Sequence, residues 1–149
     1  RDPGVAEQWL AHEDFVAADI AALPLFERVS PMAVEHAAEW GHEQRVAAGE
    51  TVVERWEGAR EFFVIVEGEA EVWVDGARAR RLGSGDFFGE LAALDWGGGY
   101  GYVRTATVVA TRDLRLLALE PERLARLMSE APALEAVVRE TARERLRMV

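Results

Sequence analysis

The chain contains no cysteine and no lysine; all seventeen of its basic residues are arginine. Without cysteine there is no disulfide framework and no thiolate chemistry, which is compatible with a reducing compartment. Without lysine a Walker-type phosphate loop cannot be completed, because that loop ends in Gly-Lys-Ser/Thr. Excess positive charge is missing too: the net charge is −10, which excludes a general nucleic-acid binder that must neutralise phosphates with a basic face. No run of eighteen apolar residues and no charged-then-apolar leader is present, so this segment reads as having neither a membrane span nor a signal peptide. Histidine is scarce. His12, His36 and His42 all precede the strand-rich part of the chain, whereas a metal enzyme on a jelly roll needs several His and carboxylate ligands on the inner face of the roll. Ser30, Ser84 and Ser129 occupy turn or helix-end contexts without an evident histidine partner, so nucleophilic catalysis is not expected either. The reading assigns no catalytic residue and no metal.

What is there fits one domain. A chain of 149 residues, half of them hydrophobic, can bury a core of its own. The arginine-only basic set, with abundant Ala and Gly, looks like coding from a high-GC bacterial genome. The first residue is Arg1, which no start codon supplies, and the expectation is a cytoplasmic module of a longer protein with an attached or partner effector.

The pattern divides the chain into residues 1–48, 49–120 and 121–149. Before about Ala48 it is helical: Val5 and Trp9, then Val16, Ile20 and Leu23, recur at spacings of three or four. In "VSPMAVEHAAEW" Ser30 stands where an N-cap belongs, Pro31 takes the first helical position, and Ala33, Val34, Ala37 and Ala38 fall on one face. From Gly49 to Glu120 short β segments alternate with turn signals. In "EAEVWV" Ala70, Val72 and Val74 share one face of a strand, and Asp75-Gly76 is a strong hairpin signal. Many short antiparallel strands without long intervening helices predict a jelly roll or small barrel. After Pro121 helix returns: Leu124, Leu127 and Met128 mark one stripe, and Leu134, Val137, Val138, Ala142 and Leu146 another. Arg139, Arg143, Arg145 and Arg147 lie on the far side of the last helix, interleaved with Glu135, Glu140 and Glu144. That side reads as a solvated face, or alternatively as a docking surface.

The stretch "GDFFGELAALDWGGGYGYVRTATVVA", residues 85 to 110, carries the chemistry. Its glycines fail the dinucleotide fingerprint, because Gly97 to Gly101 precede a β-type segment and not a helix. Gly89 to Leu94 reads instead as one helical turn leaving a strand end. The first N–H groups of such a turn lack intrahelical acceptors and favour an anion, and Gly89 allows close approach. Arg104 opens the following strand, and its guanidinium can grip two phosphate oxygens. Glu90 repels an anion but accepts hydrogen bonds from sugar hydroxyls. Together these describe a site for a sugar phosphate of single charge.

"FFVIVEGEAEVWVDG", "LGSGDFFGELAAL" and "RTATVVA" resemble the cyclic nucleotide-binding domain family, found in regulatory subunits of cyclic-AMP-dependent protein kinase, in cyclic-nucleotide-gated channels and in catabolite activator protein. The resemblance covers about residues 20 to 149. Its most specific part is the phosphate-binding cassette, Phe-Gly-Glu-Leu-Ala followed by Arg-x-Ala-Thr/Ser-Val, present as Phe88 to Ala92 and Arg104 to Val108. The resemblance implies an α+β, mainly β, fold: an eight-stranded antiparallel β-roll flanked by N-terminal helices, a short cassette helix and C-terminal helices. It implies that Arg104 binds the exocyclic phosphate oxygens and that the N–H groups of Gly89, Leu91 and Ala92 complete the cradle. Glu90 would take the ribose 2′-hydroxyl, with Thr105 and Ala106 beside the phosphate and base. The implied ligand is cyclic AMP; cyclic GMP is the alternative, since a hydroxyl at Thr105 can serve the guanine amino group. No bond-making chemistry is expected.

Two departures stand out. Glu90 and Arg104 lie further apart than in most of the family, the excess being "DWGGGYGY", and Val103 occupies a position often held by proline. Loop closure cost grows only slowly with length, so the clamp can still form. Trp96, Tyr100 and Tyr102 are candidate lid residues over the base, as are Leu146 and Met148 on the terminal helix, which alternatively pairs with a second subunit. The competing functional reading is a degenerate fold that serves as a protein-interaction or oligomerisation module.

Overall fold

The computed structural model describes residues 17–53, 61–94 and 106–147. Helix α1 (Ala17–Ala21) leads through a 3₁₀ turn (Pro24–Phe26) into α2 (Pro31–Trp40). Ser30 caps α2 as its sequence position requires: the side chain accepts a hydrogen bond from the Ala33 N–H at 3.3 Å, and Ala33, Val34, Ala37 and Ala38 are buried. The strands follow as β1 (His42–Val46), β2 (Thr51–Val53), β3 (Phe62–Glu67), β4 (Ala70–Val74), β5 (Ala77–Leu82), β6 (Phe87–Phe88), β7 (Thr107–Ala110) and β8 (Leu114–Leu119). Helix α3 (Glu90–Ala93) separates β6 from β7, and α4 (Pro121–Glu130) and α5 (Pro132–Arg147) follow β8.

The strands form two antiparallel four-stranded sheets, β1-β8-β3-β6 and β2-β7-β4-β5. Two apolar layers hold them. One lies between the sheets and contains Phe63, Ile65, Val72, Leu82, Phe88, Val108 and Leu116. The other covers the outer face of the first sheet, where Phe62, Val64, Val66, Phe87, Leu117 and Leu119 meet Ile20, Phe26, Leu124, Leu127, Leu134 and Val138 from the helices. Strand β3 is therefore buried on both faces, which is why "FFVIV" is a continuous apolar run and not an alternating one.

Strand β1 lies in the stretch that periodicity assigned to the helical N-terminal segment. "HEQRV" has no apolar alternation, and its strand identity comes from five residue pairs with β8. His42, grouped above with the helical part, opens this strand and approaches Glu61 at 3.3 Å. In the β4–β5 hairpin Asp75 and Gly76 both have positive φ, 52° and 79°, as a two-residue type I′ turn demands. Val137, placed by spacing on the apolar stripe of α5, is 45% exposed, while Leu134, Val138 and Ala142 are buried. No helix among the described residues is long and apolar enough to cross a membrane.

Candidate functional site

Strand β6 brings the chain to Gly89, whose φ of +85° turns it sharply into α3. The Gly89 and Glu90 carbonyls accept from the N–H groups of Ala93 and Leu94 at 3.0 and 2.9 Å. Helical geometry leaves the N–H groups of Glu90, Leu91 and Ala92 without acceptors inside the helix; the set named from the sequence was Gly89, Leu91 and Ala92. The turn before β6 is fastened by side chains. Asp86 accepts from the Gly83 N–H at 2.8 Å, and the Ser84 hydroxyl donates to the Val66 carbonyl at 2.8 Å. Phe88 packs inward, stacked on Phe63 with ring centroids 5.0 Å apart, so its side chain serves the core. Ala106, just before β7, is half-buried against the layer between the sheets.

Glu90 is the one buried charged or polar residue among the described residues, at 3% exposure. Burying a carboxylate this deeply is costly unless it is paired. Its partner is Arg145 on α5: Nη1 lies 2.9 Å from Glu90 Oε1, and the same nitrogen donates to the Phe87 carbonyl at 2.7 Å. The guanidinium also sits over the Phe87 ring, 5.1 Å from its centroid. One arginine thus joins the last turn of α5 to both β6 and α3. This corrects the reading of Arg145 as part of a solvated far side of the helix; Arg139 and Arg143 keep the expected surface pairs with Glu135 and Glu140 at 3.4 and 3.2 Å.

A second arginine reaches the same place. Arg80 on β5 stands opposite Val72 on β4. Burial holds its guanidinium below the ordinary arginine range; the charge of Arg145 adds to that effect, and Glu90 and Asp86 oppose it. Sequence reasoning overlooked both arginines. The signal for Arg80 was its register: two residues before Leu82, it falls on the inner face that Ala70 and Val72 define across the hairpin.

Arg104, Thr105, Trp96, Tyr100, Tyr102 and Met148 lie outside the described residues. Leu146 belongs to the last turn of α5. Among the described residues no group of three or more His, Asp or Glu side chains could hold a metal ion.

The model for the cyclic nucleotide-binding domain matches residues 43–131, and the chain belongs to that family. It is 32% identical over 126 residues to a cyclic nucleotide-gated potassium channel of Rhizobium etli, a match covering 85% of this chain and 34% of the channel. The chain spans about a third or less of the length of such curated relatives. Among solved structures, the catabolite activator protein of Thermus thermophilus superposes with a TM-score of 0.70 at 25% identity, covering 84% of this chain and 59% of that one. The cAMP-bound PfPKA-R structure superposes with a TM-score of 0.74 at 21% identity, covering 98% of this chain and 49% of that one.

Proposed function

We propose that this domain is a sensor that binds a 3′,5′-cyclic nucleotide, cyclic AMP in preference to cyclic GMP, and passes its occupancy to an effector through the C-terminal helices. The observation that carries the reading is the cassette sequence, with Glu90 buried at the head of α3 and tied to α5. A buried carboxylate at that point has acceptor capacity beyond the oxygen facing Arg145, and a ribose 2′-hydroxyl is a suitable donor. The open N–H groups at the start of α3 suit the cyclic phosphate, and Arg104 supplies the compensating charge.

Because Arg145 holds Glu90, the Phe87 carbonyl and the Phe87 ring together, a ligand that engages Glu90 perturbs the last turn of α5 directly. The ligand then shifts the population between two placements of that helix by its differential affinity for them. The domain carries out no bond-making chemistry. As part of a longer protein it acts from the cytoplasm on an attached effector, with a channel the type of effector its curated relatives suggest.

Two experiments address the site. Arg104→Ala is expected to weaken cyclic AMP binding by about 2–5 kcal/mol, and Arg104→Lys to restore only part of that because the fork geometry is lost. Replacing cyclic AMP by its 2′-deoxy analogue is expected to cost about 1.5–3 kcal/mol in the wild type, the range for a hydrogen bond to a charged group, and little in Glu90→Ala. Equal discrimination against the deoxy analogue by both proteins rules out Glu90 as the ribose acceptor.

A further inference from the structure

Helix α2 buries Ala33, Val34, Ala37 and Ala38 and turns the rest of its surface outward. Beside the buried side, His36 and Trp40 line the seam with α4. His36 stacks on Trp40 with ring centroids 4.6 Å apart, and its Nδ1 lies 2.7 Å from Glu130 Oε2. Arg123 and Arg126, neighbours on one face of α4, both lie over the Trp40 ring, 5.5 and 5.1 Å from its centroid. Met32, one helical turn before His36, is 68% exposed. Helical spacing places Glu35 and Glu39 beyond it, on the side of α2 away from the core, and both are exposed. Across this face the order is therefore carboxylates on α2, an exposed methionine, guanidiniums on α4. The charges are unusual in being unanswered. Elsewhere on the surface Arg78, Arg81, Arg112, Arg139 and Arg143 each have a carboxylate within 3.8 Å. Arg123 and Arg126 have none among the described residues, and Glu35 and Glu39 have no cation there. Two guanidiniums held on one indole also repel each other, in a chain whose net charge is −10.

We infer that this α2–α4 face is an interface with a second copy of the chain, related by a two-fold axis that passes beside Met32. In a two-fold pairing one patch serves both sides, so that residue i meets j and j meets i. Turning the patch over on itself about its methionine lays the acidic stripe of α2 on the guanidiniums of α4, twice, and closes the two methionines on each other. Glu35 and Glu39 of each copy then face Arg123 and Arg126 of the other, around an apolar centre. The occupant follows from the order of charges. An acidic partner would answer the arginines and leave Glu35 and Glu39 against like charge, and a basic partner would do the reverse. A surface with both signs in the opposite order satisfies the two together, and a second copy supplies it. None of these residues takes part in the proposed nucleotide site, so dimerisation and nucleotide binding fail independently.

The test is sedimentation equilibrium over a range of protein concentrations, with the fold of each variant checked by circular dichroism. One variant reverses the acidic stripe, Glu35→Arg with Glu39→Arg; the other reverses the cationic one, Arg123→Glu with Arg126→Glu. The wild type is expected to show a monomer–dimer equilibrium. Each variant sets like charges against each other across the two-fold, and self-association is expected to weaken by at least about tenfold. Mixed together, the two variants present all-arginine and all-glutamate faces, and dimers are expected to return as the heterodimer. A structural defect in either variant would not be repaired by mixing. A wild type that stays monomeric at every concentration overturns the inference, as do dimers that survive either reversal and a mixture of folded variants that stays monomeric. Should Arg123→Glu with Arg126→Glu fail to fold for want of the contacts to Trp40, Met32→Arg decides beside the acidic-stripe variant. Its side chain is exposed, so the fold is expected to tolerate it; monomers in both support the interface, and wild-type dimerisation in either contradicts it.

Discussion

Gly68, between β3 and β4, shows how tightly single positions are constrained. Its φ is +107°, and a Cβ there would come within 2.3 Å of the Asp113 carbonyl oxygen and 2.9 Å of Leu114. Both the backbone and the space exclude a side chain. Gly68→Ala is expected to cost at least about 1–3 kcal/mol in chemical unfolding, whereas Gly49→Ala, with φ +88° but nothing within 4 Å, pays for the backbone alone and is the milder variant. The charged residues of the site were less evenly legible. Glu90 stood out in the sequence because a carboxylate directly after Gly89, at the head of a helical turn, is conspicuous. Arg145 was not, because α5 is rich in arginine and glutamate on its outer side and helical spacing alone does not reveal which arginine meets a partner 55 positions earlier in the chain.

At the scale of elements, the Glu90–Arg145 pair is what fastens α5 to the cassette. Removing one member leaves a buried charge uncompensated, at a cost of about 3–5 kcal/mol; removing both together is far less damaging. Arg145→Met and Glu90→Leu are therefore expected to destabilise the ligand-free domain singly, with the double variant well below the sum in a denaturant titration. Additive costs would mean that the pair does not couple the two elements. The elements with strong local signals were readable in advance: Ser30 and Pro31 at the start of α2, the Asp75-Gly76 turn, Pro121 at the start of α4. Strand β1 was not. "HEQRV" becomes a strand through its ladder with β8 and through Glu43, which bonds to Arg115 across that ladder, a tertiary cause invisible to local patterning.

For the molecule, the two-sided burial of the first sheet puts the helices and the cassette on one continuous apolar layer, so a change at α3 reaches α5 without crossing solvent. Leu134 and Val138 on α5 share that layer with Ala93 and Leu94 at the end of α3. The spacing of turns and strands pointed to a jelly roll or a small barrel, and the eight-stranded roll came from the family resemblance. A ligand that binds the folded state alone also stabilises it by mass action: at a hundredfold excess over Kd the gain is about 2.7 kcal/mol, so saturating cyclic AMP is expected to raise the Tm of the wild type and leave that of Arg104→Ala nearly unmoved. The most direct measurement of the central claim is calorimetric titration of the purified, nucleotide-free domain with cyclic AMP and, in parallel, cyclic GMP. The account predicts saturable binding of one nucleotide per domain with cyclic AMP the tighter; no heat and no thermal stabilisation with either nucleotide would contradict it.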